Sequence, residues 1–185
     1  MSLAALLVID VQLGAFDGVR CPPIARGAEL VARVQAAIAA ARAAKLPVVF
    51  VQHSQPGPVF IEGTPQFVLH EALVPEPHDV RIVKRQSSSF DDTPLADALA
   101  RHGAGEVQVC GLQSEYCVYN TAVGALARGL RTAVITDAHG TWPTPTETAE
   151  AISARVNAKL QKRGARLCAS ADLAALVVAT PETSH

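Results

Sequence analysis

The 185-residue sequence lacks a long hydrophobic run, an excess of charge of one sign and any close pairing of cysteines. No stretch of ~18 apolar residues occurs, which excludes a membrane-spanning helix. The formal net charge is −1 and no cationic run is present, so we expect neither a nucleic-acid nor a membrane surface. The cysteines show no C-x-x-C spacing, which favours reduced thiols in a cytoplasmic protein; they are Cys21, Cys110, Cys117 and Cys168.

Aromatic residues are also scarce, at 4% of the chain, whereas 49% of the residues are hydrophobic and 18% are charged. These proportions are typical of a globular protein that buries a sheet on both faces. The apolar residues 3–9 follow no basic segment and end at Asp10, which favours a strand over a signal peptide. We predict one domain over residues 1–185, with a core at about 3–176 and a frayed tail at 179–185.

The hydrophobic patterns predict strands that alternate with helices along the chain. Apolar runs predict six strands, at residues 3–10, 48–51, 80–84, 107–110, 131–136 and 166–169. Helical spacing and capping residues predict helices at 27–45, 93–102, 114–128 and 146–163, with a short one from Ser170. This alternation predicts an α/β fold with three α/β/α layers and a doubly wound, Rossmann-like, mainly parallel six-stranded sheet.

The segment from Val109 to Arg131 carries a candidate nucleophile. A short strand and Gly111 precede Ser114, which fits the N-cap of the following helix. Cys117 would then lie in the first helical turn, where free N–H groups and the helix dipole lower a thiol pKa from about 8.5 toward neutrality. Taken alone, Cys117 is more simply explained as a small core residue, as most single cysteines are.

Two charged residues follow strands of the predicted sheet. Asp10 ends the first strand and Lys84 the third, although either could be an ordinary capping carboxylate or a solvated strand end. Ligands of doubly wound sheets bind outside the carboxyl ends of the strands, where the strand order reverses. If the first and fourth strands flank that point, Asp10, Lys84 and Cys117 meet. A carboxylate, an ammonium group, a thiol and two backbone N–H groups suffice for acyl transfer through a thioester.

Loops at the same edge supply candidate substrate contacts. The scarce aromatic residues cluster there and predict a small, mostly apolar pocket, although each could also fill the core or contact another subunit; they are Phe16, Phe60, Tyr116 and Trp142. Gln12 and His53 could hydrogen-bond a small amide or ureido substrate. The loop 53–77 has five prolines and two glycines, and its length is typical of a wall or lid over a site. We expect His139, in the later loop 137–142, to be structural.

Four motifs occur in order along the chain: LLVID at the first strand, VKRQSSSF after the third, CGLQSEYCV before the helix, and TDAHGT. Together, over about residues 3–170, they resemble the isochorismatase-like cysteine hydrolases, which include nicotinamidases, N-carbamoylsarcosine amidases and ureidoacrylate-type amidohydrolases. The resemblance implies a catalytic triad of Asp10, Lys84 and Cys117. It also implies a cis peptide bond between Leu112 and Gln113, an oxyanion hole formed by the Gln113 and Cys117 N–H groups, a parallel six-stranded sheet and a homo-oligomer, a dimer or tetramer.

The sequence departs from the metal-binding members of that family. Nicotinamidases hold a divalent metal through an Asp-x-His pair after the second strand and a further histidine. The corresponding stretch here has His53 but no aspartate two residues before it. One imidazole does not make a site, so we expect no catalytic metal and no cofactor. Isochorismatases proper cleave a vinyl ether without a nucleophilic thiol, so the presence of Cys117 favours C–N hydrolysis.

The favoured hypothesis is a metal-independent cysteine hydrolase that cleaves a C–N bond of a small amide, carbamoyl or ureido substrate through a thioester. Two alternatives are compatible with the same residues. One is a catalytically idle, oligomeric binding protein of the same fold. The other is an ether hydrolase for an isochorismate-like substrate, which needs cationic groups for carboxylates, and only Lys84 and Arg85 are obvious candidates.

Overall fold

The computed structural model describes residues 3–55, 57 and 59–173. Its strands are β1 (Leu3–Ile9), β2 (Val48–His53), β3 (Val80–Lys84), β4 (Ala104–Leu112), β5 (Arg131–Gly140) and β6 (Arg166–Cys168). Its α-helices are α1 (Gly27–Ala43), α2 (Leu95–Arg101), α3 (Tyr119–Ala127) and α4 (Ala149–Lys162). Short 3-10 helices occupy Leu13–Ala15, Pro65–Phe67 and Ser170–Asp172, and a π-helical turn, Ser114–Val118, leads into α3.

The strands form one parallel sheet in the order β3-β2-β1-β4-β5-β6. The chain builds outward from β1 to β3 and then returns to add β4 on the other side of β1. The strand order therefore reverses between β1 and β4, which confirms the predicted doubly wound α/β fold. The carboxyl ends of these two central strands flank the crevice in which ligands bind in such sheets.

Both faces of the sheet are covered, which explains why β1 is apolar throughout. Leu6 and Val8 are fully buried in the cluster that includes the apolar face of α1. Leu7 and Ile9 point to the other side, where they are fully buried with residues of α2 and α3. A strand buried on both faces shows no alternation of polar and apolar residues, so β1 could be recognised only by its continuous apolar run.

Several predicted boundaries differ from the observed ones. The second helix begins at Leu95, not at residue 93 as predicted, and Pro94 is its N-cap residue. The Thr93 hydroxyl still accepts the Leu95 N–H at 3.3 Å, as a capping side chain does. The fourth helix begins at Ala149 rather than 146, because Thr148 is the N-cap and accepts the Ala151 N–H at 3.2 Å.

The fifth strand is longer than predicted and includes most of the expected loop 137–142. A register shift between Val109 and Gly111 allows His139 and Gly140 to pair with the end of β4. The polar residues Asp137 and His139 interrupt the apolar pattern there, so the sequence favoured a loop. The predicted last helix is a 3-10 turn at Ser170–Asp172. The core limit at residue 176 and the predicted tail 179–185 lie outside the described residues.

Within the part of the chain that the structure describes, no helix has the length and apolar content to cross a bilayer. This finding comes from the described helices alone.

Gly111 allows β4 to approach β1 at the point of reversal. It pairs with Ile9 and has a φ of +115°. A Cβ atom at this position would lie 2.0 Å from the Ile9 carbonyl oxygen, closer than any real contact. Only glycine combines this backbone conformation with so close an approach of two main chains. The cis peptide bond between Leu112 and Gln113, expected from the family resemblance, follows directly.

We predict that Gly111→Ala lowers the free energy of unfolding by at least about 3 kcal/mol, since strain from the positive φ adds to an overlap with backbone that cannot move aside. Denaturant titration with a far-ultraviolet circular dichroism signal measures this change.

Gly103→Ala is the matched control, because Gly103 also has a positive φ, +64°, but nothing lies within 4 Å of the added Cβ. We expect it to lose only about 1 kcal/mol. Equal losses in the two variants would show that the contact with Ile9 is not what requires glycine.

Candidate active site

The ends of four strands bring an acid, an imidazole, an amine and a thiol together. Asp10 follows β1 directly, and its φ of 54° turns the chain away from the strand. His53 and Lys84 are the last residues of β2 and β3 and pair in register. Cys117 lies in the π-helical turn after β4. The structure thus brings together the three residues implied as a catalytic triad and adds His53.

The ammonium group of Lys84 is the centre of this arrangement. Its Nζ lies 2.8 Å from Asp10 Oδ2 and 3.1 Å from Cys117 Sγ. It also lies 2.8 Å from His53 Nδ1 and 3.2 Å from the Gln86 carbonyl oxygen. Lys84 is only 1% exposed, so it is not the solvated strand end that its residue type suggests. A buried ammonium group needs such partners, because an unpaired one would cost several kcal/mol.

The hydrogen bonds of His53 determine which ring nitrogen carries its proton. Lys84 has only protons to donate, so Nδ1 of His53 is the acceptor. The proton is then on Nε2, which donates to Gln55 Oε1 at 3.0 Å. Burial lowers the pKa of His53, and the neighbouring Lys84 lowers it further. His53 is therefore neutral at pH 7 and accepts one hydrogen of the ammonium group.

The thiol of Cys117 differs from the sequence-based expectation. Burial raises its pKa to about 12, the Asp10 carboxylate also raises it, and Lys84 opposes both. The expected shift toward neutrality is thus wrong, because loss of solvation outweighs the favourable charges near the sulfur. The resting group is a neutral thiol, and an Asp10 carboxylate oxygen lies within 4.8 Å of Sγ.

Ser114 does not cap the helix as predicted. Gln113 is the N-cap residue of the π-helical turn and no side chain caps it. The Ser114 hydroxyl lies 2.8 Å from His139 Nδ1 and 2.9 Å from the Ser153 hydroxyl. His139 Nε2 donates to Asn157 Oδ1 at 2.8 Å, so Nδ1 accepts from Ser114. This network ties the turn that carries Cys117 to β5 and α4, in keeping with the structural role expected of His139.

A cavity of about 350 Å³ opens above these groups. Four of the six residues predicted to contact substrate line it: His53, Phe60, Tyr116 and Trp142. Asp10, Gln113 and Cys117 line it as well. The long loop after β2 contributes Gln55 and Phe60, so it forms part of the wall as predicted. Gln55 and Ser87 were missed, because an isolated polar residue in a loop carries no periodic signal.

Gln12 and Phe16 do not line the cavity. Gln12 is fully buried, and its amide donates to the carbonyls of His53 (3.1 Å) and Phe67 (2.8 Å) while accepting the His53 N–H (2.7 Å). No hydrogen of that amide is left for a substrate. The ring of Phe16 packs edge-to-face on His70, with centroids 4.8 Å apart, and against the core. Both residues follow β1 in sequence, but their side chains pack into the protein and do not reach the cavity.

Asp10, His53 and Cys117 form a group whose ligand atoms lie within 4.8 Å of one another, as in a metal site. The Lys84 ammonium group contacts all three residues, at 2.8 to 3.1 Å. A cation at these atoms would have to displace the ammonium group that already occupies the space between them. The donor set therefore suits the ammonium group and not a metal ion.

The structure is therefore a doubly wound α/β protein in which a thiol, a carboxylate and an ammonium group meet at the carboxyl ends of the strands. The sequence model of the Isochorismatase domain family matches residues 4–172, and the chain belongs to that family.

The chain is similar to proteins of known activity. It is 39% identical over 163 residues to a streptothricin hydrolase from Streptomyces noursei, covering 87% of this chain and 63% of that protein. A second streptothricin hydrolase from that organism is 38% identical, with 57% of its length covered. The chain thus spans about 60% of these two relatives. Nicotinamidase 3 of Arabidopsis thaliana is 30% identical over 156 residues, covering 76% of this chain and 74% of that protein.

Solved structures have the same fold. An isochorismatase from Pseudomonas putida KT2440 superposes with a TM-score of 0.83 at 26% identity and covers 91% of this chain and 89% of that one. The N-carbamoylsarcosine amidase of Thermoplasma acidophilum superposes with a TM-score of 0.78 at 23% identity, covering 91% and 96%, which shows the fold alone.

We predict that His139→Gln makes stability depend less on pH in the acid range. Burial lowers the pKa of His139, so the unfolded chain takes up this proton first, near the ordinary pKa of about 6.5. Stability from the neutral ring is present above that pH and is lost as the pH falls, by up to about 1.4 kcal/mol per pH unit. Urea titrations between about pH 5 and 7.5 measure the slope.

His102→Gln is the control, because His102 is exposed at the end of α2 and should leave the slope unchanged. The pKa values of His53 and His70 are also lowered by burial, so part of the slope should persist in His139→Gln. A slope identical to that of the parent protein would contradict a buried, neutral His139.

Proposed function

We propose that this protein is a metal-independent cysteine hydrolase that cleaves a C–N bond of an amide, carbamoyl or ureido compound through a thioester. The observation that carries the proposal is the direct contact of one buried ammonium group, Lys84, with both the Asp10 carboxylate and the Cys117 sulfur. The three groups meet at a cavity that can hold a small molecule. A carboxylate beside a thiol supplies the base that a neutral nucleophile needs.

In the first half of the reaction, Asp10 accepts the thiol proton as Cys117 attacks the carbonyl carbon of the substrate. The high pKa of the thiol means that the thiolate forms only in concert with this attack, beside the ammonium group that stabilises it. The C–N bond of the tetrahedral intermediate then breaks, and Asp10 returns its proton to the leaving amine. The product of this half is a thioester on Cys117.

In the second half, a water molecule attacks the thioester carbonyl while Asp10 accepts a proton from the water. The C–S bond breaks, the carboxylic acid leaves, and the proton returns to the sulfur. Lys84 keeps its proton throughout and offsets the charge that moves between Asp10 and Cys117. His53, neutral and hydrogen-bonded to the ammonium group, is a positioning residue for Lys84.

The backbone N–H groups of Gln113 and Cys117 are proposed to bind the oxyanion of both tetrahedral intermediates. The Gln113 carbonyl accepts the N–H groups of Tyr116 (3.2 Å) and Val118 (3.1 Å) but not that of Cys117, which lies between them. These two bonds hold the turn that carries the Cys117 N–H against the cis peptide that precedes it.

The activities after which the relatives are named are compatible with this chemistry, since they include a nicotinamidase and two streptothricin hydrolases. The charges of the cavity argue against an ether hydrolase for a dicarboxylate. Arg85 lines the cavity but pairs with Glu62 at 2.8 Å, and Lys84 is already engaged by Asp10. We propose a small molecule as the substrate and expect further copies of this chain as the protein partner.

The direct test is a screen for ammonia release from primary amides, ureas and carbamoyl amino acids, with and without a chelator. We predict that Cys117→Ala lowers kcat by at least about a thousandfold, because no other group can form the thioester. The chelator should have no effect on the parent protein.

Cys168→Ala is the matched control. Cys168 is a buried cysteine in β6, away from the cavity, and its thiol donates to the Val134 carbonyl oxygen. This variant should retain turnover even if it loses stability. An active Cys117→Ala variant would exclude the thioester mechanism.

We predict that Asp10→Asn makes the Cys117 thiol more acidic and nevertheless lowers the turnover of the enzyme. Burial would still raise the pKa of Cys117, but removing the carboxylate charge should bring it below about 12, because Asp10 also raises it while Lys84 lowers it. Turnover should nevertheless fall by about 10²- to 10⁴-fold, since the proton acceptor is gone. Ultraviolet thiolate absorbance against pH and ammonia release are the two measurements.

Asp91→Asn, at an exposed position, should change neither quantity. A lower pKa together with full turnover in Asp10→Asn would show that another group is the base.

A further inference from the structure

A second cavity continues from the first one. It measures about 690 Å³, and Gln55, Phe60, Gln113 and Trp142 line both spaces. We call the first space the catalytic cavity and the second the vestibule. The vestibule is the larger of the two, although the chemistry takes place at the end of the smaller one. A molecule that filled only the catalytic cavity would leave most of this continuous space unused.

The vestibule has an apolar wall. Its lining includes Pro22, Pro23, Val59, Trp142 and Pro143. Among the described residues that line it, none carries a charge. Such a surface favours a neutral apolar group and disfavours a carboxylate or an ammonium group, which would lose solvation without a partner.

Trp142 is held rigidly between the two spaces. Its Nε1 donates to the Pro22 carbonyl at 2.6 Å across a separation of 120 residues. This bond uses the only polar group of the indole, so the ring presents only its apolar surface to both cavities. A fixed wall of this kind can bind an apolar group without the cost of ordering a side chain.

The position of Asp10 determines which part of a substrate reaches the vestibule. Asp10 must be within hydrogen-bond reach of the leaving nitrogen to return a proton to it. Its side chain is 5% exposed, and it lines the catalytic cavity but not the vestibule. The leaving amine therefore lies beside the buried Asp10 carboxylate and away from the vestibule, and the acyl group extends past Gln113 and Trp142. A position beside a buried side chain favours the smallest amine, ammonia.

We infer that the substrate is a primary amide of a neutral, apolar carboxylic acid whose chain or ring occupies the vestibule. This inference rests on the proposed function, since it assumes that Cys117 attacks the amide carbonyl. The C–N bond breaks, the nitrogen leaves as ammonia with the proton from Asp10, and the acyl group passes through the thioester to water. The products are ammonia and an apolar carboxylic acid.

The test compares the hydrolysis of acetamide, butanamide, hexanamide and 4-phenylbutanamide by the full chain. We expect kcat/KM to rise about three- to fourfold for each added methylene group, since each is removed from water. The rise from acetamide to hexanamide should thus be of the order of a hundredfold. N-Hexylacetamide, which places the apolar chain on the leaving side, should be a poor substrate. Equal kcat/KM values along the acyl series, or a preference for N-hexylacetamide, would overturn the inference.

Val59→Trp tests the location, because Val59 lines the vestibule but not the catalytic cavity. The added ring should lower the ratio of kcat/KM for hexanamide to that for acetamide by at least about tenfold. Val74→Trp is the matched control: Val74 is 70% exposed and lines neither space, so the ratio should stay at the parent value. An unchanged ratio in Val59→Trp would place the apolar group elsewhere.

A binding measurement separates failure of this inference from failure of the proposed function. The Kd of hexanamide and of acetamide is measured calorimetrically with Cys117→Ala, which keeps both cavities. Tighter binding of hexanamide, by the same order as the rise in kcat/KM, supports the vestibule even if no amide is hydrolysed. Equal Kd values contradict the vestibule even if the parent protein hydrolyses every amide.

Discussion

The site depends on one buried ammonium group. Lys84 is 1% exposed and contacts a carboxylate, a thiol, an imidazole and a carbonyl oxygen. Each of these groups sits at the end of a different strand or in the turn after it, so the lysine can be accommodated only when the sheet is complete. A charge in such a place is tolerated because its partners are fixed in advance, and this same pre-organisation keeps the sulfur and the carboxylate near each other.

The architecture provides that pre-organisation at two levels. The sheet is buried on both faces, which fixes the positions of the strand ends, and Gly111 lets β4 come close to β1 where the strand order reverses. Beyond β4, the Ser114–His139–Asn157 network anchors the turn that carries Cys117. Disturbing Gly111 would therefore move the turn that carries Cys117 as well as weaken the sheet.

Burial lowers the pKa of His53 and raises that of Cys117, and both shifts favour the neutral form of these two partners of Lys84. It keeps His53 neutral, which allows the ring to accept from the ammonium group, and it keeps the Cys117 thiol protonated at rest. In the mechanism that we propose, this thiol becomes reactive only when a carbonyl is in place and Asp10 can take the proton. In the same proposal, the catalytic cavity takes the small leaving group and the apolar vestibule takes the larger acyl group.

Much of the fold followed from local sequence. The apolar run of β1 and the helical spacing of α1 are local signals in the sequence. They predicted a doubly wound sheet and the edge of that sheet at which Asp10, Lys84 and Cys117 would meet. The extension of β5 to Gly140 was not predictable, because a register shift in a neighbouring strand, not its own pattern, pairs these polar residues.

The residue types and their order therefore determined the layers, the parallel sheet and the candidate chemical groups. Only the tertiary structure decided that both amide hydrogens of Gln12 are donated to backbone carbonyls and that Phe16 packs into the core. It likewise decided that the Ser114 hydroxyl hydrogen-bonds to His139 instead of capping a helix. It also decided the acidity of Cys117, since the pKa of a thiol depends on how much water surrounds it and on charges that arrive from distant strands. Local sequence patterns determine which helix or strand forms, whereas the solvation and the hydrogen-bond partners of a side chain depend on how the whole chain packs.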